Sequence, residues 1–458
     1  MPGAILYIPS TMSSTEATAL EDSFRNELTT RQAAITAAWK YYKGDHHKHL
    51  ARDNSQTDDN VRINMSGLLI DKGVSGLFGS GQAGSNMGVR FEVSGAGAAQ
   101  DYLNAVWDAN LKDILLHNLG LNGGVSGHAF VKIVAGDPPR VINLDPSIVT
   151  AFWDAVDIDR VLWYRVQYGD KKQIREDYVR GRDDNGEDAG YWDIYKYRQL
   201  AEGGAQWEQM GEVIRWEYDW SPVMGWQNLP FPNIYYGRDD LQHGGELNDS
   251  VNFVLSNLQR IIKHHAHPKT VIIGANNLKV PEEENAPDRL WLIPNENAKV
   301  VNLELQSDLS SSLMFAQVLR RAFFDAGREV DPAGVADRLG DLTNFALRVL
   351  YGDTSQKRGT KQLLYGRGLK RVNQALLELG GLTGTVTITW PDVMPVDDLE
   401  QARALDIDTE HGLSRETYLQ RRRYDPAQEF DRRANEALFD NMMEADRMLQ
   451  FANMGALG

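Results

Sequence analysis

The chain has 458 residues, a formal net charge of −16, 42% hydrophobic residues and no cysteine. That hydrophobic fraction excludes wholesale disorder, and the missing cysteines exclude disulfides and thiolate metal sites. An acidic chain is not built to grip nucleic acid over its whole surface, so any contact with DNA has to be local.

By length alone, about two to four domains are expected. The opening stretch MPGAILYIPSTMSS has no basic n-region, so no signal peptide is expected there. No run approaches about 18 uncharged apolar residues, so no membrane-spanning helix is expected.

Helical spacing of Leu20, Phe24, Leu28 and Ile35 predicts a helix over 15–40, with Gly44 as its stop. A second helix is predicted over 61–79, opening near Asn64 and ending in Gly76–Gly79. Val89–Val93 reads as a strand and Ala98–Leu119 as one helix. From Gly127 to Gly245 the pattern is β: Ala129–Val134, Arg140–Leu144, Val161–Tyr168, Tyr191–Tyr197 and Val213–Tyr218 are strands separated by Gly, Asp and Pro turns. The Trp and Tyr residues concentrated here are read as sheet packing, with a stacking platform for bases as the lesser reading.

A long helix follows over Asp239–Ala266, with Asp239 or Asp240 as cap and Leu247, Val251, Val254, Leu258 and Ile261 as its apolar stripe. Its other face carries Asn248, Asn252, Ser256, Asn257 and Gln259, which calls for further neighbours, such as copies of the same helix. Residues 269–305 alternate like short strands (Thr270–Ile273, Leu290–Ile293, Val300–Leu305), too few for a core of their own. A returning helix spans Leu309–Ala326, packing through Leu313, Met314, Val318, Leu319, Ala322 and Phe323. A Gly/Asp-rich loop leads into a largely helical Leu342–Leu379, interrupted near Gly352 and bent near Gly366 and Gly368. Thr385–Trp390 is a strand, and charged helices close the chain, with Ser414 capping one of them.

Enzyme motifs fail on context. Gly79-Ser80-Gly81-Gln82-Ala83-Gly84 matches G-x-G-x-x-G, but a helix precedes it and a strand follows, the reverse of a dinucleotide site. No Walker-type phosphate cradle and no G-x-S-x-G elbow occurs. The clusters His46/His47/His49 and His264/His265/His267 lack metal-ligand spacing and read as solvated or hydrogen-bonded groups. No catalytic, cofactor or metal residue is therefore assigned. The basic run Lys357, Arg358, Lys361, Arg367, Lys370 and Arg371 has no acid within it. Its two readings are a solvated face with salt bridges and a phosphate contact without base readout.

The segment Tyr235-Tyr236-Gly237-Arg238-Asp239-Asp240-Leu241 followed by Leu247-Asn248-Asp249-Ser250-Val251-Asn252 resembles the entry to the first stem helix of tailed-bacteriophage portal (head–tail connector) proteins of the long-tailed siphophage type. In that family a Gly-x-Ser-Asp-Leu run precedes Leu-x-Asp-Ala-Asn. Here Asp239 replaces the Ser, Ser250 replaces the Ala, and Val251 is inserted before Asn252. Tyr42-x-Gly44 with Asn64, Pro268 with Gly274, Leu342-Thr343-x-x-Ala346-Leu347-Arg348, Trp390-Pro391 and Gly412-Leu413-Ser414-x-Glu416-Thr417 follow in the family's order, over about residues 20–440.

The resemblance implies an α+β portal fold. Its parts would be a mixed α/β wing (1–238 and 380–410), a stem hairpin (239–267 and 306–330), a small α/β clip (268–305), a tunnel loop (331–343), a tunnel helix (344–379) and a helical crown (411–458). It implies a non-enzymatic homo-oligomeric ring, usually of twelve copies, at one capsid vertex of the virion, assembled in the host cytoplasm. The ring would conduct double-stranded DNA without sequence specificity. Partners would be the terminase large subunit, major capsid and scaffolding proteins, and a head-completion or tail adaptor, with no membrane and no cofactor. The DNA-facing loop would be Asp331, Pro332, Ala333, Gly334, Val335, Ala336, Asp337, Arg338, Leu339, Gly340 and Asp341. Backbone contacts would come from Lys357, Arg358, Lys361 and Arg367, and the terminase-facing clip from Lys279, Glu282, Glu283, Glu284 and Arg289. Two other classes fit the residues less well: a metal-dependent nucleic-acid-processing enzyme with dispersed carboxylates, and a tail or baseplate ring subunit.

Overall fold

The computed structural model describes residues 6–7, 14–50, 58–79, 88–94, 97–154, 160–169, 173–183, 188–202, 204, 206–230, 236–241, 244–266, 271–273, 291–293, 309–331, 333–334, 344–391, 406–408, 410, 412, 414–421, 429–434 and 436. The chain divides into two compact units, residues 1–83 with 87–393, and residues 84–86 with 394–458.

The first unit opens with β1 (Leu6–Tyr7) and a long helix α1 (Ser14–Lys43) that stops at Gly44, where φ is +79°. Helix α2 (Met65–Phe78) starts where expected, with the Asn64 side chain accepting the Gly67 N–H as cap. The single helix expected over 98–119 is instead two, α3 (Gly97–Ala109) and α4 (Lys112–Ser126). The break is at Leu111, which is left-handed (φ 51°) and exposed. No Gly or Pro signals it.

Seven strands form the large sheet: β1, β5 (Val149–Asp154), β6 (Val161–Tyr168), β7 (Ile174–Arg182), β8 (Asp188–Gln199) and β10 (Ile214–Trp216) in that order, with β9 (Trp207–Gln209) also on β8. Three antiparallel strands, β11 (Val223–Gln227), β3 (His128–Val134) and β4 (Arg140–Leu144), form a second sheet. Phe130, Leu144 and Val223 of the small sheet pack with Val149, Ala151, Trp153, Tyr164, Val166, Tyr178, Trp192 and Ile194 of the large one. The other core joins α2, α3, α4 and the later helix α8 (Gly352–Leu379) through Leu69, Ile70, Leu77, Leu103, Leu116, Leu119, Tyr365, Leu369 and Leu376. Strand β14 (Thr385–Thr389) pairs with β2 (Arg90–Ser94), closing residues 385–389 onto the N-terminal part of the chain.

Helices α5 (Gly244–Ala266) and α6 (Leu309–Gly327) pack against each other. Gly244 lies beside Phe323, while Leu258 and Ile261 share a groove with Ser311, Ser312 and Phe315, so the two run antiparallel as a hairpin. Between them, β12 (Val271–Ile273) and β13 (Trp291–Ile293) pair in parallel. The third strand expected there, 300–305, and Pro268 lie outside the described residues. Helices α7 (Asn344–Leu350) and α8 are separated at Tyr351, as Gly352 suggests. No break occurs at Gly366 or Gly368. Gly368 is instead needed for packing, since a Cβ there would lie 2.3 Å from the Trp226 ring.

Part of the polar face of α5, Asn248, Asn252 and Ser256, is covered by its own chain. Asn248 Oδ1 accepts the N–H groups of Met65 and Ser66, both at 3.0 Å, and its Nδ2 donates to Ile63 O at 2.9 Å. Asn252 Oδ1 accepts Ile63 N–H and Ser256 Oγ accepts Val61 N–H, each at 2.9 Å. Beyond them Lys263 reaches Asp59 at 3.0 Å. These side chains act as a strand edge for the extended segment 59–64 and the first turn of α2, while Gln259 on the same face stays exposed. Asn248 also caps the first turn of α2 from outside the helix. Asn248→Ala is expected to cost about 1–3 kcal/mol, because buried donors lose their acceptor. Asn248→Asp keeps that acceptor but turns a buried carboxylate oxygen toward Ile63 O, so it destabilises as well; urea unfolding of both variants measures the two effects.

In the second unit, helix α9 (Arg415–Arg421) carries the expected cap, with Ser414 Oγ accepting Thr417 N–H at 3.2 Å. Tyr418 Oη donates to Asp406 at 3.1 Å, and Leu419 is buried.

Candidate functional site

The two roots of the hairpin meet in a buried charge cluster. Asp240, four residues before α5, is fully buried. Its Oδ2 accepts Lys361 Nζ at 2.6 Å and its Oδ1 accepts Asn228 Nδ2 at 3.1 Å, with Lys357 Nζ 3.7 Å away. Glu329, two residues past α6, is 7% exposed and lies 4.0 Å from Lys357 and 3.6 Å from Arg358. Both roots therefore hold the same face of α8, one turn apart on Lys357 and Lys361. Tyr365, one more turn along, donates to Asn228 at 3.1 Å.

Burial alone would raise the Asp240 pKa, but Lys357, Lys361 and the hydrogen bonds from Lys361 and Asn228 bring it below the ordinary carboxylate value. Burial pushes the Glu329 carboxyl up, and Lys357 and Arg358 offset only part of that. Glycines make room for the cluster. A Cβ at Gly73 or Gly124 would lie 3.0 or 3.1 Å from Asp240 Oδ2, and one at Gly76 would strike the Arg358 guanidinium at 2.2 Å.

The chain leaving α6 is held equally firmly. Three of the four carbonyls from Gly327 to Val330 are capped by side chains: Gly327 O by Lys357 (2.8 Å), Arg328 O by Thr354 (3.0 Å) and Val330 O by Lys72 (2.9 Å). Asp331 then accepts both Arg320 Nε and Nη2 at 2.9 Å and the Ala333 N–H at 3.0 Å. Burial raises the Asp331 pKa, but Arg320 and the Ala333 N–H bring it below the usual value. Of the loop expected to face DNA, Asp331 is thus fixed, and Ala333 and Gly334 are exposed. Pro332, Val335, Ala336, Asp337, Arg338, Leu339, Gly340 and Asp341 lie outside the described residues, as do Lys279, Glu282, Glu283, Glu284 and Arg289.

The basic run is divided by the structure. Lys357, Arg358 and Lys361 are 2%, 9% and 1% exposed, so the expected phosphate contacts at these three are corrected: their charges are used inside the fold. Arg367, with Lys370 and Arg371, lies on the exposed face of α8. Sequence reasoning missed Asp240 and Glu329 as partners. The available signal was Lys357 and Lys361 at i, i+4, a like-charge pair whose own helix offers only the exposed Asp353, one turn before Lys357, and the distant Glu378.

The hairpin keeps an uncovered apolar face. Leu313, Met314, Phe315 and Val318 of α6 are 47–62% exposed, and Phe253 and Ile262 of α5 are 44% and 49% exposed. Among the described residues no group of three or more His, Asp or Glu is placed to hold a metal ion. No described helix is long and apolar enough to cross a membrane.

A sequence model described as "Phage portal protein, SPP1 Gp6-like" matches residues 22–438, nearly the whole chain. The chain belongs to this phage portal protein family. No curated protein matches it. Among solved structures, this portal protein is similar to a chain in the virion of a native gene transfer agent particle, at 15% identity and a TM-score of 0.41, covering 79% of this chain and 88% of that one. A chain from the neck of an empty gene transfer agent particle, with C6 symmetry, gives 15% identity and a TM-score of 0.42 with the same coverage. One from the neck of the native particle, with C12 symmetry, gives 14% and 0.40, covering 77% and 86%. Portal-family membership agrees with the mixed helix and sheet architecture described above, and with the order of landmarks from Tyr42 to Thr417.

Proposed function

We propose that this portal protein closes into a ring of about twelve copies at a capsid vertex and conducts double-stranded DNA during packaging and ejection, without enzymatic activity of its own. The observation that carries the reading is the uncovered apolar face of the α5–α6 hairpin, in a family of portal proteins. Contiguous exposed Leu, Met, Phe and Val on a packed hairpin mark an association surface, and identical copies meeting at a fixed angle close into a ring. The net charge of −16 suits a conduit: carboxylates repel phosphate, so DNA passes instead of adhering.

In this reading the loop 331–341 faces the DNA, with its first residue held by Arg320. Arg367, Lys370 and Arg371 remain as surface cations for sequence-independent contact. Lys279, Glu282, Glu283, Glu284 and Arg289 belong to the clip that docks the terminase large subunit, later replaced by a head-completion or tail adaptor. The outer parts meet capsid and scaffolding proteins.

Light scattering and negative-stain images of the purified protein test the ring. The native chain should give rings with a central hole, and Met314→Asp/Val318→Asp should give a folded species of single-chain mass. A native protein that stays a monomer or dimer and cleaves DNA with a divalent metal would replace this reading with the enzyme one. Deleting 333–340 should leave rings intact and impair DNA packaging or retention; loss of the ring on that deletion would remove the loop assignment.

A further inference from the structure

The large sheet ends on one side in an interrupted edge. Strands β9 and β10 lie end to end along β8, pairing with Tyr197–Gln199 and Trp192–Ile194, and among the described residues neither has a strand on its outer side. An open edge presents N–H and C=O groups ready to pair with another chain. Soluble proteins usually blunt such edges with Lys or Pro. From Gln206 to Asp219 this chain has neither. The single cation there, Arg215, faces Asp193 at 3.4 Å and lies over the Tyr191 ring.

The surroundings are both apolar and acidic. Leu200, Met210, Val213 and Ile214 are 41–48% exposed. Glu202, Glu208, Glu212, Glu217 and Asp219 are exposed around them. Arg198 pairs with Glu208 and Arg180 with Asp219. A second copy of this edge would set carboxylate against carboxylate, so pairing edge to edge between copies is disfavoured. A strand with apolar side chains at alternate positions and cations between them would satisfy the backbone, the apolar patch and the charge together.

We propose that the β9–β10 edge is a docking site for an extended segment of a partner protein, rich in alternating apolar and Lys or Arg residues, which adds to the sheet as a further strand. Docking here requires neither a ring nor DNA.

The test uses full-length protein and three fluorescein-labelled peptides: alternating Val–Lys, alternating Val–Glu, and Val–Lys with alternate backbone amides N-methylated. Fluorescence anisotropy should show saturable binding of Val–Lys, at least about tenfold weaker binding of the other two, and a similar loss for Val–Lys on Glu212→Lys/Glu217→Lys. Both substitutions are at exposed positions, and an unchanged thermal melt confirms the fold. Equal binding of the N-methylated peptide would overturn the proposal, since attraction would then be electrostatic only. No binding of Val–Lys would also overturn it, as would hydrogen-exchange protection of 213–216 by a neighbouring copy in the native assembly.

Discussion

Asp240→Asn is expected to destabilise the protein by about 3–5 kcal/mol, the range for removing one partner of a buried ion pair. The substitution keeps the shape and the acceptor toward Asn228 but leaves Lys357 and Lys361 buried without their carboxylate. Urea unfolding followed by tryptophan fluorescence gives the shift in midpoint. Asp240→Asn/Lys361→Met should recover part of the loss, because one uncompensated charge is removed. An unchanged midpoint for the single variant would mean that the roots of α5 and α6 are held by something other than this cluster. The pH dependence has a definite sign. Asp240 is depressed from its ordinary 3.8, so its contribution is fully present above that value and is lost as pH falls through the lower folded-state pKa. Glu329 has the opposite sign: its carboxyl is raised above 4.5, so its contribution is full below that value and is lost as pH rises through the raised pKa. Glu329→Gln should therefore cost far less than Asp240→Asn at neutral pH.

Gly127→Ala is expected to cost about 2–5 kcal/mol, combining left-handed strain with steric overlap. Gly127 ends α4 at φ 82°, and its Cβ would lie 2.4 Å from the carbonyl oxygen of Gly237. Gly237 approaches Gly127 equally closely from the other side, so two backbones cross with no side chain between them. The crossing is what brings the Asp240 N–H within 2.8 Å of Gly124 O and sets its carboxylate beside Lys361. Gly381→Ala is the matched control: φ is +66°, but nothing lies within 4 Å of the added Cβ. It should show the strain alone, about 1–2 kcal/mol. Equal melting temperatures for the two variants would refute the steric part.

Local signals foretold local structure. Asn64 and Ser414 announce helix starts because capping is a bond within three residues. Apolar spacing announces α5, whose Val251 and Leu258 are buried, but of the packing residues expected in α6 Phe323 is buried while Leu313, Met314 and Val318 are exposed. Strand β7, Ile-Arg-Glu-Asp-Tyr-Val-Arg-Gly-Arg, does not look like a strand in the middle of a sheet. It becomes one because Glu176 meets Lys132 and Tyr178, while Asp177 meets Arg165 and Arg175, pairings that only the folded sheet supplies. Asp240 was misread as a helix cap for the same reason. Its cationic partners lie more than a hundred residues away, and α5 begins at Gly244 because the preceding carboxylate is drawn into α8. The buried half of the basic run was hidden likewise: Lys357 and Arg367 are indistinguishable by composition, and only the face of α8 each occupies separates them.

Helix α5 and the extended segment 59–64, with the first residue of α2, solve a problem of unequal rulers. A helix advances about 1.5 Å per residue, so every fourth side chain is displaced by about 6 Å. An extended chain advances about 3.3 Å, so every second backbone group is displaced by about 6.6 Å. Asn248, Asn252 and Ser256 can thus be matched to Met65, Ile63 and Val61 in steps of four against two. The mismatch, about 0.6 Å per step, accumulates, so short side chains keep pace for only a few steps. At the next step, Asp59, the helix answers with the long arms of Arg260 and Lys263, 3.7 and 3.0 Å from the carboxylate. Changing the length of the segment by one residue would shift the two scales out of phase at every rung.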